Sequence, residues 1–187
     1  MTTKLSLATL ADIGDRASLP SYRREDIRPG ILHFGVGNFH RAHQAVYLDS
    51  LFNQGLDQDW AIIGAGVRAN DAEMRQKLGS QDYLTTVVEQ EADHSSARVT
   101  GAMIDFLPVG DLEAMRRTLS DPAIRIVSLT VTEGGYYIDP ASQRFDANHP
   151  EILADGQNPD APRTVFGLIL LGLRDRKAAG IAPFTVM

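Results

Sequence analysis

Ile31-Leu32-His33-Phe34-Gly35-Val36-Gly37-Asn38-Phe39-His40-Arg41-Ala42-His43 decides how the rest of the chain is read. An apolar run of strand character enters a glycine pair and leaves it as a helical pattern. A peptide within hydrogen-bonding distance of a pyrophosphate has no room for a Cβ. Two glycines one residue apart at a helix start therefore suit a dinucleotide lying on the helix N-terminus. The usual third glycine would fall at position 40, where His40 stands. Loop glycines also serve ordinary turns, so the pair alone leaves both readings open.

Working outward, residues 31–36 read as the first strand and 39–53 as one long helix. Ala42, Ala45, Val46, Leu48, Leu51 and Phe52 give that helix a wide apolar face, and Gly55 marks its end. Residues 61–66 form a second strand and 72–78 a short helix. Residues 83–89 and 97–106 read as two β-strands about the polar Asp93-His94-Ser95-Ser96 turn. Leu112, Met115 and Leu119 stripe another helix. Residues 125–132 are continuous enough for a strand buried on both faces. Residues 139–163, with Pro140, Pro150, Pro159 and Pro162, read as a surface excursion. A last helix over 164–177 leads through Gly180 to a strand at 184–187. Strands alternating with helices require crossovers, so the predicted fold is α/β: a Rossmann-type doubly wound, mostly parallel sheet with an inserted pair of β-strands.

Composition sets looser bounds. A chain of 187 residues, 43% hydrophobic with net charge −6, can bury one core and is too polar for a membrane protein. The Val165–Leu173 stretch is too short for a bilayer span, and the Lys4–Ala11 segment is too interrupted for an export signal. Zero cysteines exclude disulfides and thiolate metal sites and fit a reducing cytoplasm, the expected location. The acidic balance argues against a nucleic-acid partner.

Four groups of residues carry candidate chemistry. The loop Gly35, Val36, Gly37, Asn38, Phe39, His40 and Arg41 would cradle the pyrophosphate, with His40 and Arg41 either at the phosphates or packing where a third glycine would stand. After the second strand, Asp71 is placed to accept the adenosine ribose hydroxyls, or else to cap the following helix. Arg68 nearby and Asn70 before it weaken a preference for NAD over NADP. Thr132 and Glu133 precede two glycines at the end of the strand over 125–132, where they either face a cofactor or form a plain turn. His40 and His43 share a helical face, but no third ligand stands at motif spacing, so no metal is expected. No lysine or histidine base has an orienting partner, and the Arg174-Asp175-Arg176-Lys177 run reads as an exposed helix turn, so no catalytic residue is assigned.

The segment from Gly35 through His43 to Ala45 resembles the signature of the long-chain polyol dehydrogenases, the mannitol 2-dehydrogenase and fructuronate reductase family. Gly79–Leu84, Arg125–Tyr136 and Ala178–Met187 resemble it in the same order. The resemblance implies an oxidoreductase that moves hydride between NAD, or NADP, and a polyol or sugar acid, acting on a small polyol or keto sugar. It further implies a helical domain beyond residue 187 that supplies a catalytic lysine with asparagine and histidine partners. The expectation is therefore a single dinucleotide-binding domain over 1–187, part of a longer enzyme and inactive alone. The alternatives are a stand-alone nucleotide-binding module and an adenosylmethionine-dependent methyltransferase.

Overall fold

The central strand β1 (Pro29–Phe34) alternates its side chains between two apolar layers, Leu32 and Phe34 into one and Ile31 into the other. A computed structural model describes residues 4–187. After β1 the chain runs through α1 (Asn38–Ala42), α2 (Gln44–Phe52), β2 (Ala61–Ala65), α3 (Ala69–Gly79), β3 (Thr85–Gln90), β4 (Ser95–Thr100) and β5 (Met103–Phe106). It continues through α4 (Leu112–Ser120), β6 (Ile126–Leu129), β7 (Ile138–Asp139), β8 (Arg144–Phe145), α5 (Pro150–Gln157), α6 (Val165–Ala178) and β9 (Thr185–Val186). The main sheet is parallel, in the order β5-β2-β1-β6-β9. Helices α4 and α6 bury Met115, Leu119, Leu168 and Ile169 on one face, and α2 and α3 bury Ala45, Phe52 and Leu78 on the other. The expected doubly wound α/β architecture is present.

Several boundaries differ from the sequence reading. The single helix expected over 39–53 is two helices, broken at His43 (φ −122°, ψ −83°). The run over 97–106 holds two strands. β4 pairs antiparallel with β3 across a turn at 91–94, then Gly101 and Ala102 let β5 leave the hairpin for the main sheet beside β2. The strand over 125–132 is regular only to Leu129, because Thr130 onward peels toward the end of β1. The excursion at 139–163 contains ordered structure: His149 caps α5, and Asp155 accepts from the Arg163 and Thr164 amides at 2.7 and 3.0 Å.

Two buried polar groups bind distant segments together. Asp49, on α2, is 1% exposed and accepts from the Tyr22 hydroxyl at 2.6 Å, the Gly101 amide at 2.9 Å, Asn53 at 3.0 Å and Arg98 at 3.1 Å. Arg176 corrects the expectation of an exposed helix turn over 174–177. It is 2% exposed and donates to the carbonyls of Leu119, Asp121, Ile124 and Ala182 at 2.6, 2.5, 2.7 and 2.7 Å. One planar guanidinium thus fastens the α4–β6 turn to the α6–β9 turn, a geometry that an ammonium could not reproduce. Arg176→Met keeps the stem and strands four buried carbonyls, so urea denaturation should show a loss of about 3–5 kcal/mol. A loss below about 1 kcal/mol would mean water replaces the guanidinium.

Candidate dinucleotide site

In an open parallel sheet the strands on either side of the first run their crossovers over opposite faces, which leaves a crevice at the carboxyl ends where the order reverses. Here that point lies between β1 and β6, and a cavity of about 500 Å³ opens there. Residues 34–37 at the end of β1, the β2–α3 loop, and Thr130, Val131, Thr132, Gly134 and Gly135 line it.

The two glycines of the opening motif have different causes. Gly35 has φ +93°, and a Cβ on it would lie 2.4 Å from the Thr130 carbonyl oxygen, so the fold itself demands glycine. Gly37 has extended backbone (φ −88°, ψ −174°), and a Cβ there would meet only the Gly35 carbonyl oxygen, at 3.9 Å. No neighbour among the described residues requires glycine at 37. Gly37 lines the cavity at the residue just before α1, whose first-turn amides have no acceptor within the helix.

Behind this loop lies a polar layer sealed from water. His33 and His40 are fully buried, their rings stacked at 3.6 Å and 15°. His33 Nδ1 meets Ser128 Oγ at 2.7 Å, and its Nε2 meets Thr130 Oγ1 at 3.0 Å and the Gly35 carbonyl at 3.2 Å. Thr130 Oγ1 donates to the same carbonyl at 2.8 Å, and His40 Nδ1 pairs with Gln44 Oε1 at 3.1 Å. Burial, with the mutual repulsion of the two rings, pushes His33 down to about 3. Burial likewise lowers His40 to about 4, so both are neutral. His40 packs inward against His33, at the place of the absent third glycine. His43 turns the other way, exposed and stacked on Phe39 at 4.4 Å, so the two histidines do not converge on a metal. Arg41 bonds its own turn, to the Gly37 carbonyl at 3.3 Å and to Asn38 at 2.5 Å.

The β2–α3 lip carries the charge. Asp71 Oδ2 accepts from the Val67 and Arg68 amides, both at 2.9 Å, so the capping role is real, and the side chain also lines the cavity. Arg68 forms a two-pronged ion pair with Glu151 of α5, at 3.1 and 3.1 Å. The Tyr137 hydroxyl donates to Glu151 at 2.5 Å. Burial, then this bond, pushes Tyr137 up to about 12, while Tyr137 and Arg68 hold Glu151 below the usual carboxylate range.

Of the expected site residues, Gly35, Val36, Gly37, Arg68, Asp71 and Thr132 line the cavity together. Asn38, Phe39, His40, Arg41 and Glu133 do not form its wall, and Glu133 is exposed on the one-turn helix Glu133–Tyr136. The sequence reading missed Tyr137 and Glu151. Tyr137 adopts a left-handed backbone (φ 51°), unusual for an aromatic residue, and Glu151 sits in a proline-rich stretch read as loop.

Fold and cleft together define a Rossmann-type dinucleotide-binding domain. Residues 29–187 match the mannitol dehydrogenase Rossmann domain, and the chain belongs to that family. It is 60% identical over 169 residues to a mannitol 2-dehydrogenase of Cereibacter sphaeroides, covering 90% of this chain and 35% of that protein. It is 43% identical to a polyol:NADP oxidoreductase of Gluconobacter oxydans, covering 96% and 37%. The Pseudomonas fluorescens mannitol 2-dehydrogenase, solved as a ternary complex with NAD and D-mannitol, superposes with TM-score 0.94 at 46% identity, covering 99% of this chain and 38% of that one. The chain thus spans somewhat over a third of the length of these relatives. No helix among the described residues is long and apolar enough to cross a membrane.

The two glycines should separate by experiment. Gly35→Ala should lower the unfolding temperature by several degrees, because a methyl group cannot lie 2.4 Å from a carbonyl. Gly37→Val should leave unfolding nearly unchanged and cost at least about 2 kcal/mol of dinucleotide affinity by calorimetric titration. Equal affinities would detach Gly37 from ligand binding.

The histidine pair gives a pH signature. Both folded values lie below the unfolded 6.5, so their contribution is complete above about pH 6.5 and is lost as pH falls toward 3–4. Each ring should cost about 1.4 kcal/mol of stability by about pH 5.5 relative to pH 7. His40→Phe keeps a ring in the stack and cannot titrate. The gap between urea midpoints at the two pH values should therefore narrow by about half in the variant, with His33 supplying the remainder, and an unchanged gap would refute the buried-neutral assignment.

Proposed function

We propose that this chain is the dinucleotide-binding unit of an NAD-dependent oxidoreductase acting on a polyol or sugar acid, of the mannitol–fructose or fructuronate type. Gly37 carries the reading: a glycine that no protein neighbour explains, at the switch-point cavity of a parallel sheet. Gly35, Gly37 and the α1 amides would hold the pyrophosphate, with Val36 as part of the same turn. Asp71 would offer its carboxylate to the adenosine ribose while capping α3, and Thr132 would face the nicotinamide half. A bound nicotinamide supplies a hydride acceptor at C4. The relatives described as an NAD complex and as an NADP oxidoreductase support a nicotinamide cofactor of either kind.

Alcohol oxidation also needs a group to take the hydroxyl proton near neutral pH. Among the described residues, the ionisable side chains lining the cavity are Arg68, Asp71 and Tyr137. Arg68 and the raised Tyr137 cannot accept that proton, and Asp71 is given to the α3 cap and the adenosine ribose rather than to the reacting carbon. Exposed Glu133 lies off the wall. We therefore assign this chain cofactor binding and no catalytic base. The likeness to mannitol 2-dehydrogenases favours this reading over a methyltransferase or a stand-alone nucleotide sensor.

Calorimetric titration should show binding of NAD, while adenosylmethionine gives no heat. With NAD and mannitol, arabinitol or a hexonate, absorbance of reduced nicotinamide should stay at the blank. A folded chain without NAD affinity would refute the proposal, and turnover abolished by Glu133→Gln would make Glu133 the missing base.

A further inference from the structure

Among the described residues, the Arg68–Glu151–Tyr137 cluster is the charged group at the cavity rim that cofactor cradling leaves unused. Arg68 follows β2, in the region that in dinucleotide-binding sheets meets the adenosine ribose, where a carboxylate accepts the 2′-hydroxyl and an arginine can accommodate a 2′-phosphate. Both residue types line this lip, as Asp71 and Arg68. Taken alone, the pair would be undecided between the two nicotinamide cofactors. Glu151 changes the balance. Its two oxygens occupy both terminal nitrogens of Arg68 at 3.1 Å, using the fork that would otherwise clamp a phosphate. With Glu151 in place, the three charged side chains of the lip sum to −1; without it, they sum to zero.

We propose that Glu151 is a specificity-determining residue: by engaging Arg68 and adding its own negative charge, it excludes a 2′-phosphate and biases the site toward NAD. Tyr137 positions the carboxylate. Its hydroxyl bonds Glu151 at 2.5 Å, and its ring is braced by His149 at 4.7 Å and Phe166 at 6.1 Å, edge to face. Discrimination is thereby placed on α5, within residues 139–163, rather than on the β2 tip alone. This inference rests on the dinucleotide reading above.

The test is the ratio of NADP to NAD affinity, measured by calorimetric titration of this chain with each cofactor. The Arg68–Glu151 pair is about half exposed, so replacing Glu151 should leave the fold intact; Glu151→Gln and Glu151→Ala are both made, with thermal unfolding as the check. Each should raise the ratio in favour of NADP by about tenfold, equivalent to about 1.4 kcal/mol. The gain should shrink as salt is raised. Arg68→Ala added to Glu151→Gln should abolish it, and Tyr137→Phe, which keeps the ion pair, should move the ratio far less. An unchanged ratio in folded Glu151 variants, or a gain that survives removal of Arg68, would overturn the proposal while leaving dinucleotide binding intact. Absence of binding by the unmodified chain would instead remove the dinucleotide reading, and this inference with it.

Discussion

The contact between the Gly35 peptide and the Thr130 backbone governs the geometry of the whole cleft. Strands β1 and β6 are neighbours whose following segments leave toward opposite faces of the sheet, so the chain must turn away within a residue of the strand end. At φ +93°, Gly35 makes that turn, and Thr130 fills the space a side chain would have taken. The Thr130 hydroxyl and the His33 ring both reach the Gly35 carbonyl, which pins the loop from beneath. A cradle for a flexible, highly charged ligand gains from such rigidity, because ordering it on binding would subtract from affinity.

The polar layer under the loop shows how a fold can keep polar side chains away from water without making a reactive site. His33 and His40 are held neutral by burial and bonded on most of their nitrogens, as buried polar groups generally must be. Their role is architectural: they fill the volume between β1 and α1 that a third glycine would have closed by bringing helix and sheet together.

Much of this was legible in the sequence. The apolar runs at β1, β2 and β6 and the stripe of Leu112, Met115 and Leu119 set the sheet and α4, because a 2.0 or 3.6 period is a local property. The glycine motif located the cleft for the same reason. What stayed hidden depended on partners far along the chain. Arg176 reads as surface because its four carbonyl acceptors lie at 119–124 and at 182. Glu151 reads as loop because its meaning comes from Arg68, 83 residues earlier. The expected role of Asp71 as a cap could be read from its place just before the helix predicted over 72–78, whereas the earlier start of α3 at Ala69 and the orientation of Asp71 to the cavity could not.

The buried carboxylate of Asp49 also redraws where this folding unit begins. The family model matches from residue 29, yet Tyr22 supplies one of the donors to Asp49, and Ser18 exchanges backbone hydrogen bonds with Ala97 and Val99 at the edge of the β3–β4 hairpin. Ile27 is 3% exposed among Phe52, Ile62 and Leu78. A chain trimmed at residue 29 would lose an edge pairing and a core side chain, and would leave the buried Asp49 carboxylate short of a donor. The residues just before 29 therefore belong to the core, although the family model begins only after them.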